Sequence, residues 1–393
     1  MKPEIVIKEG RDHFVRKGHP WVFAEAVQEI IDLPAGTVVQ VKNHKNDFLG
    51  CAFYNQKSSI PLRILSREEV EIDDAFITKR INASIQRRHR WACSDNQIQR
   101  LAAFESDGLP GLIIDRYGDY IIFQILSAGM QGFRTCIIET LKKQHPLGII
   151  ERSDESVRLK EGLEERKELV YGERPPENWS VKENGLKYTV DLWSGHKTGF
   201  YIDQSSNRRK LIEFGKQGGH VLNCFCYTGG FSMAVLKGGA KHVISVDSSL
   251  PALESLEKNF SLNGFDPDEH EQIHGDVFEV LESFVDHRSF EGIILDPPKF
   301  AGRKQHMKKA MKAYTELNRM GMKLLKPGGW LATFTCSGRV SREAFQDAVE
   351  EAATKCGQVY VVEEVLSQSE DHSVRLGFSE SLYLKGLLLR RIE

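Results

Sequence analysis

Long apolar stretches are missing from this 393-residue sequence. It contains no run of about 18 apolar residues that could cross a membrane, and its first residues do not resemble a secretory signal. The start, MKPEIVIKEG, already has the pattern of a β-strand. Hydrophobic residues make up 40% of the chain and charged residues 27%, which is typical of globular proteins in water. We therefore expect a cytoplasmic protein without a membrane partner.

Cysteines are few and do not form an obvious framework. Seven of them, an odd number, are scattered along the chain, which favours free thiols over disulfides. Cys224 and Cys226 form a C-x-C, but no second pair lies at the spacing of a zinc site. We therefore expect no bound metal.

Excess charge of either sign is also missing, since the formal net charge is −2. Any binding of nucleic acid must then depend on local basic clusters. The length exceeds what one ordinary core accommodates, so two or three domains are expected.

Three segments differ in their patterns. Residues 1–72 predict a small β domain, with strands in TVVQVKNHKNDFLGCAFYN and SIPLRIL and with Trp21 and Phe23 in its core. Residues 73–190 predict an α+β domain, because a helical spacing of apolar residues is followed by hairpin patterns such as the one around Asn184-Gly185. Residues 191–393 alternate strands and helices, which predicts a doubly wound α/β domain with a mostly parallel sheet.

The strand ends of the last segment carry the candidate ligand residues. Strands are predicted at 220–224, 243–247, 271–274, 292–296, 329–335, 359–366 and 381–390. The first ends in CFCYTGGFS, where Gly229 and Gly230 let the backbone approach a ligand. Asp247 ends the second and can bind ribose hydroxyls, and Asp276 follows the third and can face an adenine. These features fit NAD and S-adenosylmethionine equally, but no G-x-G-x-x-G and no P-loop lysine is present, which disfavours NAD and nucleoside triphosphates.

The fourth strand of this segment ends in Asp296-Pro297-Pro298. Prolines cannot continue a central strand, because they donate no hydrogen bond to the ladder. One proline would suffice to end a strand, so two favour a rigid wall that fixes the Asp296 carboxylate beside a ligand. The fifth strand ends in TFTCSG, which puts Cys336 at the same edge.

In this order, NCFCYTGGFS, VISVD, GD, LDPPKF and TFTCSG resemble the class I S-adenosylmethionine-dependent RNA methyltransferases. The chain most resembles the bacterial ribosomal RNA (cytosine-5) methyltransferases that carry an N-terminal PUA domain; HPWVF, SGHKTGFYIDQSSNRR and SLYLKG are also similar. Ser205 departs from the pattern, where an arginine is expected, although Arg208 remains.

The resemblance implies a Rossmann-like methyltransferase domain, a PUA-like RNA-binding domain, large-subunit ribosomal RNA as partner and S-adenosylmethionine as cofactor. It is compatible with a homodimer. The implied cofactor-binding residues are Tyr201, Gln204, Asn223, Phe225, Tyr227, Thr228, Gly229, Asp247, Ser248, Asp276, Val277 and Asp296.

Cys336 and Asp296 are the candidate catalytic residues. Carbon 5 of cytosine is a poor nucleophile, and attack of a thiolate at carbon 6 activates it; covalent catalysis of this kind divides one difficult step into easier ones. A carboxylate near the ring nitrogen would assist. Many cysteines are inert core residues, which is the alternative for Cys336. Asp371, His372, Glu380 and water are candidates for removing the carbon 5 proton, and the sequence context favours a surface role for each of the three residues.

Two basic clusters are candidate RNA contacts. KFAGRKQHMKKAMK follows the strand-end prolines, and a helix near residue 88 carries a second cluster, although basic runs are often only solvated helix faces. The candidate RNA-binding residues are Lys299, Arg303, Lys308, Lys309, Arg87, Arg88, Arg90 and Arg208.

Two other functions stay open. An enzyme that methylates guanine or adenine would use the same cofactor pocket without a nucleophilic thiol. A non-catalytic RNA-binding factor could keep the fold, although the glycine turn, Asp247 and Cys336 argue against it.

Overall fold

Alternating apolar residues near the start of the chain form strands, as the sequence predicts. The structure, a computed structural model, describes residues 2–91, 95–177, 179–300 and 307–393. It divides into two compact units. The first comprises Met1–Val181, Val190–Ile202 and Glu370–Ser381, and the second comprises Lys182–Thr189, Asp203–Ser369 and Leu382–Glu393.

The first unit contains two five-stranded sheets. Its elements are β1 (Glu4–Ile7), α1 (His13–Arg16), β2 (Trp21–Val22), β3 (Thr37–Asn43), β4 (Phe48–Tyr54), β5 (Leu62–Ser66), α2 (Asp74–Arg88), β6 (Ile98–Ala103), β7 (Leu112–Tyr117), β8 (Tyr120–Ile125), α3 (Ala128–Gln131), α4 (Arg134–Lys142), β9 (Gly148–Ser153), α5 (Val157–Lys160) and β10 (Arg166–Gly172). The strand orders are β1-β3-β4-β5-β2 and β10-β9-β8-β7-β6.

Helix α2 forms where the apolar spacing predicts it. Ile77, Ile81 and Ile85 are buried in the core of the second sheet, and the Asp73 side chain caps the helix by accepting a hydrogen bond from the amide of Phe76. Strand β10 lies in a charged stretch for which the sequence indicates no strand. Its side chains are half-buried or exposed at the sheet edge, so hydrophobic alternation gives no signal there.

The prediction that Phe23 lies in the core of the first β domain is wrong. It is 40% exposed, so it is not a core residue, whereas Trp21 is half-buried and its indole nitrogen donates to Glu105. Spacing along so short a strand cannot tell which aromatic faces solvent.

The second unit is built around one seven-stranded sheet. Its elements, with the hairpin that begins at the unit boundary, are β11 (Val181–Glu183), β12 (Leu186–Tyr188), α6 (Ser205–Gly215), β13 (His220–Cys224), α7 (Gly230–Gly238), β14 (His242–Asp247), α8 (Leu250–Asn263), β15 (His270–His274), α9 (Val277–Phe284), β16 (Phe290–Leu295), α10 (Met307–Lys323), β17 (Leu325–Thr335), α11 (Arg342–Cys356), β18 (Tyr360–Ser367) and β19 (Lys385–Arg391).

The strand order is β15-β14-β13-β16-β17-β19-β18. Every pair from β15 to β17 is parallel, and only β19 is antiparallel to its neighbours. The predicted α/β fold with a mostly parallel sheet is confirmed. Because the order reverses direction at β13, the carboxyl ends of β13 and β16 meet at the crevice where ligands bind in such folds.

The three-segment division of the chain does not correspond one-to-one to the two units, and the boundaries at 72 and 190 stay a prediction. Within the described residues, no helix combines the length and the apolar character needed to span a bilayer.

Candidate active site

The turn after β13 has an unusual backbone. Phe225, Tyr227 and Gly229 all have positive φ, at 60°, 50° and 84°. Non-glycine residues rarely adopt this region, and such strain concentrates at ligand-binding sites. A β-carbon on Gly229 would lie 2.7 Å from Cγ of Leu256, so only glycine fits there. The turn ends where α7 begins, at Gly230.

Asp247 at the end of β14 braces this turn. Its Oδ2 accepts a hydrogen bond from the amide of Tyr227 at 2.8 Å, and its Oδ1 accepts one from the amide of Ser249 at 2.9 Å. The residue is partly exposed, and each carboxylate oxygen can accept a further hydrogen bond. The carboxylate can therefore hold the turn and still bind two adjacent hydroxyls.

The other predicted cofactor residues differ in exposure. Phe225, Tyr227 and Thr228 are half-buried along the turn, and Ser248 is exposed after β14. Asp276 is exposed and caps α9 by accepting from the amides of Phe278 and Glu279, whereas Val277 is buried. Asn223 is fully buried on β13 and its side-chain amide donates to the hydroxyl of Ser232 on α7 at 2.8 Å. Its side chain therefore links the strand and the helix that flank the turn.

Gln204 connects to the predicted catalytic carboxylate. Its Nε2 donates to Oδ2 of Asp296 at 3.0 Å, and its Oε1 accepts from Nδ2 of Asn207 at 2.5 Å. Asn207 in turn donates to the carbonyl of Ser367 at 2.9 Å. Asp296 is therefore held by a chain of buried amides. Tyr201 belongs to the first unit, and its role in a cofactor pocket stays a prediction.

Cys336 follows β17 directly and Asp296 follows β16, the neighbouring parallel strand, in which Leu295 pairs with Thr333. The Cys336 sulfur lies 3.9 Å from the carbonyl oxygen of Pro297 and is partly exposed. The thiol and the carboxylate that the sequence singles out are thus brought to adjacent positions of one sheet edge.

Two residues that the sequence analysis did not select surround the Cys336 turn. Lys385 pairs with Thr335 across the strands, is buried, and donates to the carbonyls of Ser337 at 3.1 Å and Tyr383 at 3.3 Å. Burial lowers the pKa of Lys385, Arg342 lowers it further, and Cys336 acts in the opposite direction, as an anion nearby would. The ammonium is thus fixed at the turn that follows Cys336.

The second of these residues is Tyr314 on α10, whose hydroxyl accepts from Thr335 at 2.7 Å. Burial raises its pKa to about 12, and the charges of Cys336 and Asp296 contribute. Lys385 and Tyr314 are separated in sequence from the motifs, and only SLYLKG gave a signal for the former.

The other cysteines have different surroundings. Cys224 and Cys226 are buried, and burial raises the pKa of both thiols well above the ordinary value. Burial also raises the pKa of the half-buried Cys356. Raised thiol pKa values disfavour the thiolate in these three residues, whereas Cys336 is set apart by its position: it is partly exposed and directly follows β17 at the carboxyl edge of the sheet.

The basic run is exposed where the structure describes it. Lys299, Lys308, Lys309 and Lys312 are exposed, the last three on the first turns of α10. Arg303 lies outside the described residues. These lysines can reach a phosphate backbone, and their contact with RNA stays a prediction.

Two predicted RNA contacts are wrong. Arg88 is 0% exposed and donates to Asp107, to Ser84 and to the carbonyl of Asp371. Arg208 is 3% exposed and forms a two-bond ion pair with Glu183, at 2.6 and 2.7 Å. Both guanidiniums neutralise buried carboxylates, so neither can contact RNA.

The remaining arginines of that cluster are exposed. Arg87 donates to Asp107 at 2.7 Å, and Arg90 lies over the ring of Trp91.

The candidates for proton removal differ in their surroundings. Asp371 and His372 are buried and hydrogen-bonded to each other, which excludes surface roles for both, and Glu380 lies near His19. Among the residues that the structure describes, no cluster of histidine, cysteine or carboxylate side chains could hold a metal ion.

A strained glycine turn and a strand-end carboxylate at the carboxyl edge of a mostly parallel sheet are typical of Rossmann-like cofactor domains, and comparison with known proteins identifies this one as a methyltransferase. The chain belongs to the S-adenosylmethionine-dependent methyltransferase family, whose profile matches residues 163–389; a PUA-like domain matches residues 5–67. The protein is accordingly an enzyme that uses S-adenosylmethionine.

Full-length relatives extend this comparison. A protein of Vibrio cholerae named Ribosomal RNA large subunit methyltransferase I is 40% identical over 392 residues, which cover 98% of each chain. The protein of the same name from Aliivibrio fischeri is 39% identical and covers 99% of this chain and 100% of its own. A solved methyltransferase structure in complex with S-adenosylhomocysteine is 25% identical, with a TM-score of 0.87 over 99% of this chain and 100% of its own.

The residues present fit S-adenosylmethionine. The strained turn from Phe225 to Gly229 lies beside the partly exposed Asp247 carboxylate, which suits an adenosine with two free ribose hydroxyls. Asp247, Phe225, Tyr227 and Thr228 would hold the cofactor, and it would supply an electrophilic methyl group at this sheet edge.

Proposed function

We propose that this protein methylates carbon 5 of a cytosine in large-subunit ribosomal RNA, through a covalent bond between Cys336 and carbon 6 of the base. The observation that carries this proposal is the placement of Cys336 and Asp296 directly after the adjacent parallel strands β17 and β16, with the Cys336 sulfur 3.9 Å from the carbonyl oxygen of Pro297. Methylation of an exocyclic nitrogen needs no thiol, so a partly exposed cysteine at this position favours carbon 5.

Relatives that are similar to this chain over nearly their whole length support ribosomal RNA as the substrate, since they are named Ribosomal RNA large subunit methyltransferase I. A PUA-like domain near the start of the chain fits an RNA substrate, which such modules recognise through shape and backbone. Because the thiol must reach carbon 6 from one face of the ring, the target base has to be unpaired or flipped out.

The first step forms the bond between sulfur and carbon 6. The Cys336 thiolate attacks carbon 6, and the electron pair of the double bond between carbons 5 and 6 makes carbon 5 nucleophilic. As the thiolate adds, negative charge develops on the ring nitrogen, and Asp296 in its acid form gives that nitrogen a proton, which it takes back when the product is released. Gln204 fixes the orientation of Asp296 through the 3.0 Å hydrogen bond. The ammonium of Lys385 favours the thiolate before attack.

The last steps release the product. Once carbon 5 carries the methyl group, its proton leaves to a base, and the electron pair re-forms the double bond as the bond between sulfur and carbon 6 breaks. The thiolate is thereby regenerated. Turnover therefore consumes one cofactor and leaves the enzyme unchanged.

The test is to identify the methylated nucleoside. Large-subunit ribosomal RNA that lacks the modification is incubated with the enzyme and labelled S-adenosylmethionine, then digested to nucleosides and analysed by mass spectrometry. The proposal predicts label in 5-methylcytidine. Label in a methylated guanosine or adenosine would establish the non-covalent alternative instead, and cofactor binding without any transfer would favour a non-catalytic RNA-binding factor.

A further inference from the structure

Four arginines line a cavity in the first unit. Arg67, Arg80, Arg87 and Arg375 surround a volume of about 440 Å³, together with residues 64–66 and 106–108. We refer to it as the arginine cavity. Its size falls within the roughly 300–1,000 Å³ of typical ligand pockets.

The positive charge of the arginine cavity is not balanced by its own lining. Asp107 is its one acidic residue among those described, and it already accepts from Arg87 and Arg88 at 2.7 Å each and from the amide of Ala103 at 2.6 Å. The carboxylate is therefore fully engaged by its neighbours. The remaining charge of the lining is positive.

Two of the arginines have no acidic partner within the described part of the chain. Arg67 is exposed and makes no hydrogen bond or ion pair there. Arg80 donates to the carbonyl of Gly108 at 3.0 Å and lies over the ring of Phe76, 4.4 Å from its centre. Both guanidiniums keep donors free for an anion, since each carries five N–H groups.

The arginines also repel one another. Burial lowers the pKa of Arg80, and the charges of Arg375 and Arg87 lower it further, with Glu68 as a smaller opposing influence. Burial lowers the pKa of Arg375 too; Glu105 opposes this effect and Arg67 adds to it. An anion in the cavity would relieve this repulsion.

Two further features indicate that the cavity accommodates a ligand. The hydroxyl of Ser106 lines it and is buried without a hydrogen-bond partner among the described residues, which is costly unless a ligand supplies one. A β-carbon at Gly108 would lie 2.0 Å from Nη1 of Arg80, so glycine makes room for that guanidinium.

We propose that the arginine cavity binds a phosphodiester group of the RNA substrate; this inference rests on the proposed function. Guanidinium forks match phosphate oxygens with paired hydrogen bonds. None of the described lining residues is aromatic, so the cavity lacks the ring surfaces on which unpaired bases most often stack, and this favours the backbone over a base as ligand. The cavity thus anchors the RNA without reading its sequence.

Binding of RNA tests the proposal first. The double variant Arg67→Gln and Arg80→Gln is compared with the control Arg11→Gln and Lys79→Gln, which removes the same charge from exposed positions outside the cavity, one of them adjacent on α2. The cavity variant should bind ribosomal RNA at least about tenfold more weakly, and its salt dependence should flatten by roughly 0.7–0.9 slope units for each phosphate that is no longer neutralised.

Steady-state kinetics provide a second readout of the same variants. KM for RNA should rise while kcat is retained, because Cys336 belongs to the second unit. Equal affinities and slopes for both double variants overturn the proposal.

Inorganic pyrophosphate provides a second arm that does not need RNA. It should raise the thermal midpoint of the wild type and of the control but not of the cavity variant, since a ligand stabilises only the state that binds it. Equal stabilisation of all three overturns the proposal. Stabilisation confined to the wild type and control, with unchanged RNA affinity, also overturns it, because the cavity would then take free anions only.

If the double variant fails to fold, Arg67→Gln alone replaces it, since Arg67 is exposed and has no polar partner in the described chain. If the wild type methylates no ribosomal RNA, the proposed function fails. The pyrophosphate arm then still decides whether the cavity binds phosphate.

Discussion

Gln204 donates its side-chain amide to the Asp296 carboxylate at 3.0 Å, although 92 residues separate them in the chain. Gln204 is itself fixed by Asn207, and both side chains are buried. A carboxylate held in this way has one orientation before any ligand arrives. Such pre-organisation is what a group that meets charge in a transition state requires.

The first prediction follows from this hydrogen bond. Gln204→Ala should lower kcat by about tenfold to 100-fold, because a small displacement of a reacting group has an effect of this size. Gln204→Glu should be more harmful, since it places a second negative charge against Asp296. Methyl transfer in single turnover measures both effects, and affinity for the cofactor serves as the control. Wild-type kcat in Gln204→Ala would show that Asp296 needs no such support.

Asp247 provides the second prediction. Asp247→Ala should weaken S-adenosylmethionine binding by roughly 1.5–3 kcal/mol, because charge-assisted hydrogen bonds to the ribose are removed. Calorimetry measures the change, and Asp268→Asn, which neutralises an exposed carboxylate of the same unit, is the control. Unchanged affinity in a folded Asp247→Ala variant would place the ribose elsewhere.

The exposed lysines of α10 provide the third prediction. Neutralising Lys308, Lys309 and Lys312 to glutamine should weaken RNA binding and flatten its salt dependence by up to about 0.7–0.9 slope units for each phosphate released from a lysine. Cofactor affinity should not change. Lys323→Gln at the other end of the same helix is the control. A salt slope identical to that of the wild type would mean that the basic run is only a solvated helix face.

His270 provides a prediction on pH. Its ring stacks on Phe260 at 3.9 Å and contacts the Ser245 hydroxyl at 3.0 Å; burial, with a further contribution from His242, lowers its pKa from 6.5 to about 4. In the unfolded chain, His270 therefore becomes protonated near pH 6.5, whereas in the folded chain it becomes protonated only near pH 4. The contribution of neutral His270 to the free energy of unfolding is fully present above pH 6.5. It is lost as the pH falls towards 4, which lowers the free energy of unfolding by up to about 3 kcal/mol.

Denaturant unfolding at a series of pH values measures this loss. His270→Gln should flatten the acid dependence in that window, whereas His274→Gln, at an exposed position of the same strand, should leave it as in the wild type. An acid dependence that survives in His270→Gln would assign it to other groups.

The sequence predicts the strands and their ligand edge well, because buried parallel strands are short apolar runs and their carboxyl ends must meet. Asp296 and Cys336 could be selected for this reason. Arg88 and Arg208 could not be assigned correctly. Their partners, Asp107 and Glu183, lie 19 and 25 residues away in the chain, and no local pattern distinguishes a buried ion pair from an exposed basic cluster.

The arginine cavity shows the same limit. Its guanidiniums come from α2, the segment that follows β5 and the segment near residue 375, which only the folded chain brings together. Lys385 was missed because a lysine in a strand near the end of the chain is usually exposed, whereas here it is buried beside the turn that holds Cys336.

Covalent trapping tests the central claim most directly. Ribosomal RNA with 5-fluorocytosine at the target position should form an adduct with the wild-type enzyme that survives denaturation, because fluorine cannot leave carbon 5 as a proton does. The adduct should form only when S-adenosylmethionine is present, because the stable adduct arises after methyl transfer. Cys336→Ser should lose both adduct and turnover, since a hydroxyl is a far weaker nucleophile than a thiolate, and should still bind the cofactor. Near-normal methylation by Cys336→Ala, or the absence of any adduct with an active wild-type enzyme, would contradict the covalent mechanism.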